Sequence, residues 1–567
     1  MKHVLHWFLP FWKLRRKGMG ILLLITVLAM ATKTLYPYIF KFVIDHLNQD
    51  IQYDNILTWV WIILGVGIVR EITQWLLPAT RNLMNLTIGK DVRLRYFQEI
   101  MEKDYTFFSQ YNTGDLITRL TDDIDGDLKI AWYAASGILR PIEAFLTLGF
   151  SIALMLSLNW QLTLIAIAPL PIIIWLIATT EHIQQHAYTL RQKKTSETIN
   201  VLESAFSGIR IVIGYVAEKA QVKLFRKVMK ERVHAEEKVV LVRSFLESLG
   251  AMINQVGLVI VLFVGGYYVQ QVRMSLGEFY AFVAYLSGMT ETIWTISWFF
   301  VSTQMVETSI TRLENLEKGK NIEFGHKIPD PSQPVIRLKH VSFAFPDSSE
   351  LILKDISFIL SPGEIGAVTG SVGSGKSTLL NLTTGIYPPL KGNVYLSNAA
   401  PREMDQEALA QFIGYIPQEV VFFKGSIREN ILMGRDFGDD AIQRALYLAA
   451  AEREFTLDTM LQQGGVGLSG GQKARVALAR ALVHDPKILI MDDITAALDA
   501  KTESILWRRL KKVSHNRVIL VTTHREATAK QATQIIWLDQ GKIKDIATHE
   551  RLLKMYSEYC HLFAKTL

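Results

Sequence analysis

Gly370-Ser371-Val372-Gly373-Ser374-Gly375-Lys376-Ser377-Thr378 and, further along, Leu468-Ser469-Gly470-Gly471-Gln472 are the two stretches that decide the fold. The first is a Walker A pattern. Its glycines let backbone N–H groups close around phosphate oxygens. The helix predicted from Lys376 onward points its positive end at the same anion. Lys376 is placed to reach the β- and γ-phosphates, Ser377 to ligate Mg²⁺, and Thr378 to add a hydroxyl nearby. The second stretch is rarer than the first.

Working outward, Ile365 to Val368 reads as a strand opening onto the phosphate loop, Lys487 to Met491 as a second strand and Val518 to Thr522 as a third. Strands interleaved with helical segments predict an α/β domain with a parallel sheet. Lys487-Ile488-Leu489-Ile490-Met491-Asp492 is an apolar strand ending in a carboxylate, which suits Asp492 to holding Mg²⁺. This domain is expected over 335–567, behind a linker at 319–334 that contains Ile328-Pro329-Asp330-Pro331-Ser332-Gln333-Pro334.

Before residue 320 the composition changes. Six apolar stretches, at approximately 20–44, 56–78, 131–157, 160–182, 246–269 and 279–303, are each long enough to cross a hydrocarbon layer of about 30 Å as a helix. Residues 1–318 are therefore read as an all-α, six-helix membrane domain. The connections after the first and third stretches carry no Lys or Arg. Those after the second and fourth are long and basic, with Arg81, Lys90, Arg93, Arg95 and Lys103, then Arg191, Lys193, Lys194, Lys219 and Lys223. The positive-inside rule puts both termini on the cytoplasmic side. Both long connections contain glycine breaks in helical sequence, near 110–116 and 203–210, and are predicted to be bent coupling segments. Met1 to Lys17 mixes Trp7, Phe8, Phe11 and Trp12 with Lys13, Arg15, Arg16 and Lys17, and is predicted to be a helix lying on the inner membrane face.

The chain has 567 residues, 49% of them hydrophobic, and a formal charge of +7. The length fits two large domains. Basic cytoplasmic loops account for the charge, and six apolar spans exclude a soluble DNA-associated ATPase, so no nucleic acid partner is expected. One cysteine, Cys560, forms no intramolecular disulfide and no Cys-rich metal site.

These motifs, in this order, resemble the ATP-binding cassette (ABC) proteins, and nearly the whole chain resembles an ABC exporter half-transporter. The resemblance implies a P-loop ATPase domain with a helical subdomain, ATP and Mg²⁺ as cofactors, and a multi-pass position in a bacterial cell membrane. It implies that Gln418, in Tyr415-Ile416-Pro417-Gln418, is the Q-loop glutamine that senses Mg²⁺. It implies that Leu468, Ser469, Gly470, Gly471 and Gln472 contact the nucleotide held by an opposing domain. Asp499 matches the D-loop aspartate and His524, in Thr522-Thr523-His524-Arg525, the switch histidine. Phe345, in Phe343-Ala344-Phe345-Pro346, falls where the family places an aromatic residue against adenine.

Three departures stand out. The residue after Asp492 is Asp493, where the family has the Glu that polarises the attacking water. The shorter side chain sets the carboxylate back by roughly 1.5 Å, and a misplacement of about 1 Å can cost on the order of 100-fold in rate. Thr459-Met460-Leu461-Gln462-Gln463 replaces the family's acidic loop, and Ala496 stands where a Ser or Thr is usual. An intact signature beside a weakened base implies a heterodimer whose second half-transporter carries the Glu. A slow homodimer, a membrane-embedded ATP-binding regulator and a siderophore importer on the same fold are the alternatives.

Ionisable residues in apolar spans mark cavities or partners. Lys33, Glu71, Arg140, Glu143, Glu247 and Glu291 are the candidates, with Arg140 and Glu143 spaced to neutralise each other. Glu291 with Trp294 and Trp298 suits an aromatic or cationic ligand, and Asn254 and Gln255 add mid-span polarity. A small amphiphilic substrate is the expected cargo, with the lipid bilayer as surroundings.

Overall fold

The computed structural model describes residues 1–47, 53–168, 170–345, 348 and 350–564. The chain separates into two compact units, Met1–Met101 with Gly114–Lys318, and Glu102–Thr113 with Gly319–Leu567. The helices that precede the second unit's sheets are α1 (Lys2–Leu14), α2 (Arg16–Leu47), α3 (Tyr53–Met101), α4 (Tyr105–Gln110), α5 (Thr113–Leu120), the short α6 (Asp122–Asp125) and α7 (Ile130–Trp132), α8 (Ile138–Leu158), α9 (Trp160–Ile167), α10 (Leu170–Ser207), α11 (Ile209–Gly214), α12 (Glu218–Gln270) and α13 (Leu276–Glu317).

The long helices outrun their apolar stretches. With 49 residues, α3 is about 74 Å long at 1.5 Å per residue, more than twice a hydrocarbon layer. Among the described residues, Arg16–His46, Leu57–Met101 and Thr113–Leu158 are long and apolar enough to cross a membrane. The N-terminal helix differs from expectation. Its aromatic face is turned toward protein: Val4, Phe8 and Phe11 are buried, with Phe8 stacked on Tyr133. Trp12 donates to the Ala134 carbonyl at 2.9 Å.

Between α7 and α8 the chain makes a π-turn, Tyr133–Gly137. Asn85 satisfies it, accepting N–H bonds from Ala135 and Ser136 and donating to the Ser136 hydroxyl. Such wide turns free backbone donors that need another partner. Glu143 does not pair with Arg140. It accepts a bond from Arg81 on α3 at 3.1 Å, while the Arg140 guanidinium lies over the Trp132 ring. A partner on a neighbouring helix approaches the carboxylate where the i−3 residue points away. Glu247 is held by Arg243 at 2.7 Å. Gln255 is exposed, and the side chains of Glu291, Trp294, Trp298 and Asn254 lie outside the described residues.

The second unit contains an element that sequence assigned to the membrane domain. Glu102–Thr113 leaves the end of α3 and joins the nucleotide-domain unit. The reason is a short antiparallel stitch: Asp104 N–H donates to Lys320 O at 2.9 Å and Ile322 N–H to Glu102 O at 2.8 Å. Lys103 adds bonds to Gly319 O and to Asn321 Oδ1.

Eleven strands are described in this unit: β1 (Ile336–Phe343), β2 (Leu353–Leu360), β3 (Ile365–Gly370), β4 (Lys391–Leu396), β5 (Ile413–Ile416), β6 (Gly425–Ser426), β7 (Met460–Leu461), β8 (Ile488–Asp492), β9 (Val518–Thr522), β10 (Gln534–Asp539) and β11 (Lys542–Ala547). The central sheet has the order β11-β10-β3-β9-β8-β5 and is parallel except at β11. A second, antiparallel sheet runs β2-β1-β4. Strands buried on both faces read as continuous apolar runs. In β8, Ile488 and Ile490 face the core shared with the antiparallel sheet, and Leu489 and Met491 face the core under the helices.

Candidate nucleotide site

The carboxyl ends of β3, β8 and β9 lie side by side, which is where an open parallel sheet presents its ligand site. Register puts both Asp492 on β8 and Val368 on β3 opposite Thr522 on β9. From β3 the chain turns through Gly370 into the phosphate loop. Gly370 has φ +154°, and any Cβ there would sit 2.0 Å from Leu538 O. Gly375, at φ +98°, starts the helix Lys376–Thr383. Lys376 folds back over the loop, donating to Gly370 O at 3.0 Å and Ser371 O at 2.8 Å. Burial lowers its pKa, against the pull of Asp493 and Asp492. Ser371, Gly373, Ser377 and Thr378 complete the loop and the first helical turn, all at least partly accessible. Ser374 is buried and its hydroxyl has no partner.

Asp492 is buried and accepts a 2.6 Å bond from Thr522 Oγ1. The same hydroxyl accepts the Asp493 N–H at 2.8 Å. Asp493 adopts a left-handed φ of +49°, and its buried Oδ1 has no partner. Burial, then the charge of Asp492, pushes its pKa up to about 6, with Lys376 opposing. His524, one residue beyond Thr523, has a pKa lowered by burial and by Lys376. Thus Lys376, Asp492, Asp493 and His524 act on one another at a single place. Gln418 is exposed just beyond β5, which is hydrogen-bonded to β8. Phe345 is exposed just beyond β1, and its ring stands edge-on to Tyr387.

The signature forms a separate exposed edge. Ser469 caps the helix Gly470–Leu482: its hydroxyl accepts the Gln472 N–H, and Gln472 Oε1 accepts the Ser469 N–H. This reciprocal capping box explains two of the five motif residues by local helix chemistry. At Gly471 a Cβ would sit 3.0 Å from Ala497 O, a tight approach to backbone that glycine avoids. Leu468 is half-buried against the helical core. Behind the motif, the Arg475 guanidinium is held by the Glu454 carboxylate. Asp499 caps the next helix, accepting the Thr502 N–H at 3.0 Å.

Sequence reasoning missed two groups of residues. Thr522 fastens both aspartates, and a hydroxyl ending a strand beside the carboxylate strand was its only signal. Arg525 ties the switch loop to the D-loop, donating to Thr495 O at 2.6 Å and Leu498 O at 2.7 Å, and pairing with buried Glu503.

Residues 19–293 match the family described as ABC transporter transmembrane region, and residues 353–496 the family described as ABC transporter. A relative from Bacillus subtilis (strain 168), the "Probable multidrug resistance ABC transporter ATP-binding/permease protein YheI", is 30% identical, with 82% of this chain and 80% of that one covered. The chain belongs to the ABC transporter family. It is an exporter-type half-transporter, with membrane region and ATP-hydrolysing domain in one polypeptide. The "ATP-dependent lipid A-core flippase" of Thiobacillus denitrificans (strain ATCC 25259 / T1) is 26% identical, over 95% of this chain and 94% of that one. A solved structure of a bacterial Atm1-family ABC exporter with ATP bound shares the fold, with TM-score 0.80, 20% identity, and 97% and 98% of the two chains covered.

Proposed function

We propose that this half-transporter grips ATP firmly, hydrolyses it slowly, and works with a dissimilar half whose catalytic residue is Glu, exporting an amphiphilic substrate across a bacterial cell membrane. The observation that carries the proposal is Asp493: a carboxylate set back by one carbon, beside an undamaged signature at Leu468–Gln472.

In this reading the phosphate-loop N–H groups and Lys376 hold the ATP phosphates, and Phe345 lies against the adenine. The unpartnered hydroxyl of buried Ser374 and the buried carboxylate of Asp492 are polar groups that a phosphate–Mg²⁺ pair would satisfy. Ser377, Asp492 and Gln418 would hold the Mg²⁺, which neutralises phosphate charge when bound. Asp493, ionised above pH about 6, is the base for water, and its retreat makes the step slow. His524 orients the terminal phosphate.

The capped N-terminus at Ser469–Gln472 faces solvent and offers free N–H groups to an anion. One phosphate loop and one signature per chain require two chains for a complete pair of sites. The second coupling segment supports this. Around α11, Phe206, Ile209, Ile211, Ile213, Tyr215 and Val216 are all exposed, an apolar surface suited to burial in a partner half. Both termini lie in the cytoplasm, from the basic connections. Glu291, Trp294, Trp298, Asn254 and Gln255 are the proposed substrate contacts, on the sequence pattern alone. The multidrug and lipid A-core names of the two relatives support an amphiphilic cargo.

The test is the purified full chain in lipid vesicles, alone and with a co-expressed second half-transporter that carries Glu after its Walker B aspartate. Slow ATP turnover alone, and ATP-dependent vectorial movement of an amphiphile with the second half, are expected. Brisk, cooperative ATP cleavage by the chain assembled only with copies of itself overturns the proposal.

A further inference from the structure

We propose that Tyr387 is a positioning residue that reports the base end of the nucleotide site to the elbow Glu102–Thr113, so that adenine, and not phosphate alone, sets the elbow's order. The inference rests on the nucleotide reading above and names a route that reading does not contain.

Tyr387 is only 6% exposed. Its ring is edge-on to Phe345 on one side, centroids 5.6 Å apart at 84°. It is edge-on to Tyr105 on the other, 5.4 Å apart at 89°. Phe343 closes the cluster, 5.4 Å from Tyr387 and 5.2 Å from Phe345. At the nucleotide end of the cluster, Phe345 has an open face. A base stacked on that face removes its ring freedom, and an edge-to-face pair passes a fixed orientation to the next ring. Packed side chains of this kind shift between discrete arrangements rather than deform.

A polar link runs beside the rings. Arg402 donates to Gly385 O at 3.1 Å and Ile386 O at 2.9 Å, the two residues before Tyr387. Its remaining nitrogen donates to Asp104 Oδ2 at 2.9 Å, and Asp104 is itself buried. One guanidinium thereby fixes Gly385–Ile386 against the residue that precedes Tyr105. Arg402 is the fixed point, and Tyr387 is the ring packed between Phe345 and Tyr105 beside it. The elbow is stitched to 320–322 by backbone bonds, so an ordered Tyr105 orders both strands of that stitch. The phosphate end also reaches this segment. Asn381, on the phosphate-loop helix, accepts the Tyr387 N–H on its carbonyl and the Tyr415 hydroxyl on its side chain.

The test is hydrogen–deuterium exchange on the full chain in lipid nanodiscs, with Mg–ATP or with Mg–tripolyphosphate, which has phosphates and no base. Both are expected to slow exchange in Gly370–Thr378. Only Mg–ATP is expected to slow it in Glu102–Thr113, by about fivefold, the worth of one ring contact in a local opening equilibrium. Tyr387→Leu is expected to abolish the elbow response and keep that of the phosphate loop, and Tyr387→Phe to keep both. Tyr105→Ala, at an exposed ring, repeats the loss without disturbing a buried position. Equal elbow slowing by tripolyphosphate, or an elbow response surviving in both Tyr387→Leu and Tyr105→Ala, overturns the relay. Protection in neither region by either ligand overturns the nucleotide reading itself, and the relay with it.

Discussion

The signature edge and the catalytic edge of the nucleotide domain are built on opposite principles. At the signature, each conspicuous polar side chain has at least one partner within the fold, and Arg475 Nε is the buried atom left over. Ser469 and Gln472 cap each other, Lys473 bonds Gly464 O, Glu454 holds Arg475, and Asp499 caps its own helix. At the catalytic edge, Asp493 Oδ1, Ser374 Oγ and Thr369 Oγ1 are buried without partners. Lys376 and Asp493 both have pKa values moved toward their neutral forms by burial. A buried polar atom left unpaired costs about 1–3 kcal/mol. The signature side chains are largely used up within the fold, so in the proposed function a nucleotide would be met there by backbone N–H groups. The catalytic edge carries buried unpaired groups at a cost to stability, which the proposed phosphate–Mg²⁺ pair would relieve.

Replacing Lys376 with Ala tests that contrast most severely. ATP turnover should fall on the order of 1,000-fold, the scale of losing a principal charge-stabilising donor. The melting temperature should hold or rise, because a partly buried cation is removed. A melting temperature that falls with the activity would remove the claim that this edge carries a cost.

Asp493→Glu sharpens the comparison from the other side. In the chain purified alone, ATP turnover should rise about 100-fold as the carboxylate regains its reach. Unchanged turnover would locate the limitation elsewhere.

The residual turnover of the unaltered chain should also depend on pH. Asp493 is useful as a base only when ionised, and its raised pKa means that this form is lost as pH falls through about 6. Turnover measured from pH 7 to pH 5 should drop roughly tenfold. Asp493→Asn should give a flat profile over the same interval, and a sloping one would assign the titration to another group.

The smallest effect belongs to the signature edge. Glu454→Gln leaves the buried Arg475 guanidinium without its counter-charge and should lower stability by about 1–3 kcal/mol in denaturant titration. Affinity for a non-hydrolysable ATP analogue at the chain's own phosphate loop should be unchanged. A fall in that affinity would mean that the two edges are not independent within one chain.

Much of this molecule could be read from local pattern. The phosphate loop, the capping box inside the signature, the apolar strand ending at Asp492 and the long apolar helices all depend on residues within a few positions of one another. Helix period, strand burial and glycine placement act over that distance. Family and fold class followed from those segments. The elbow Glu102–Thr113 had no such signature. Its allegiance to the nucleotide domain rests on Lys320, Ile322 and Arg402, more than two hundred positions away.

The amino-acid sequence by itself determined what chemistry this chain can attempt, because motif residues bring their own hydrogen-bonding groups wherever the fold carries them. Tertiary structure alone decided who holds those groups in place. Thr522 grips Asp492 and the Asp493 backbone, Arg81 takes Glu143 from its near neighbour Arg140, and Tyr387 stands between Phe345 and Tyr105. The physical reason is that a partner is chosen by distance and direction in the folded chain, and sequence separation carries no information about either.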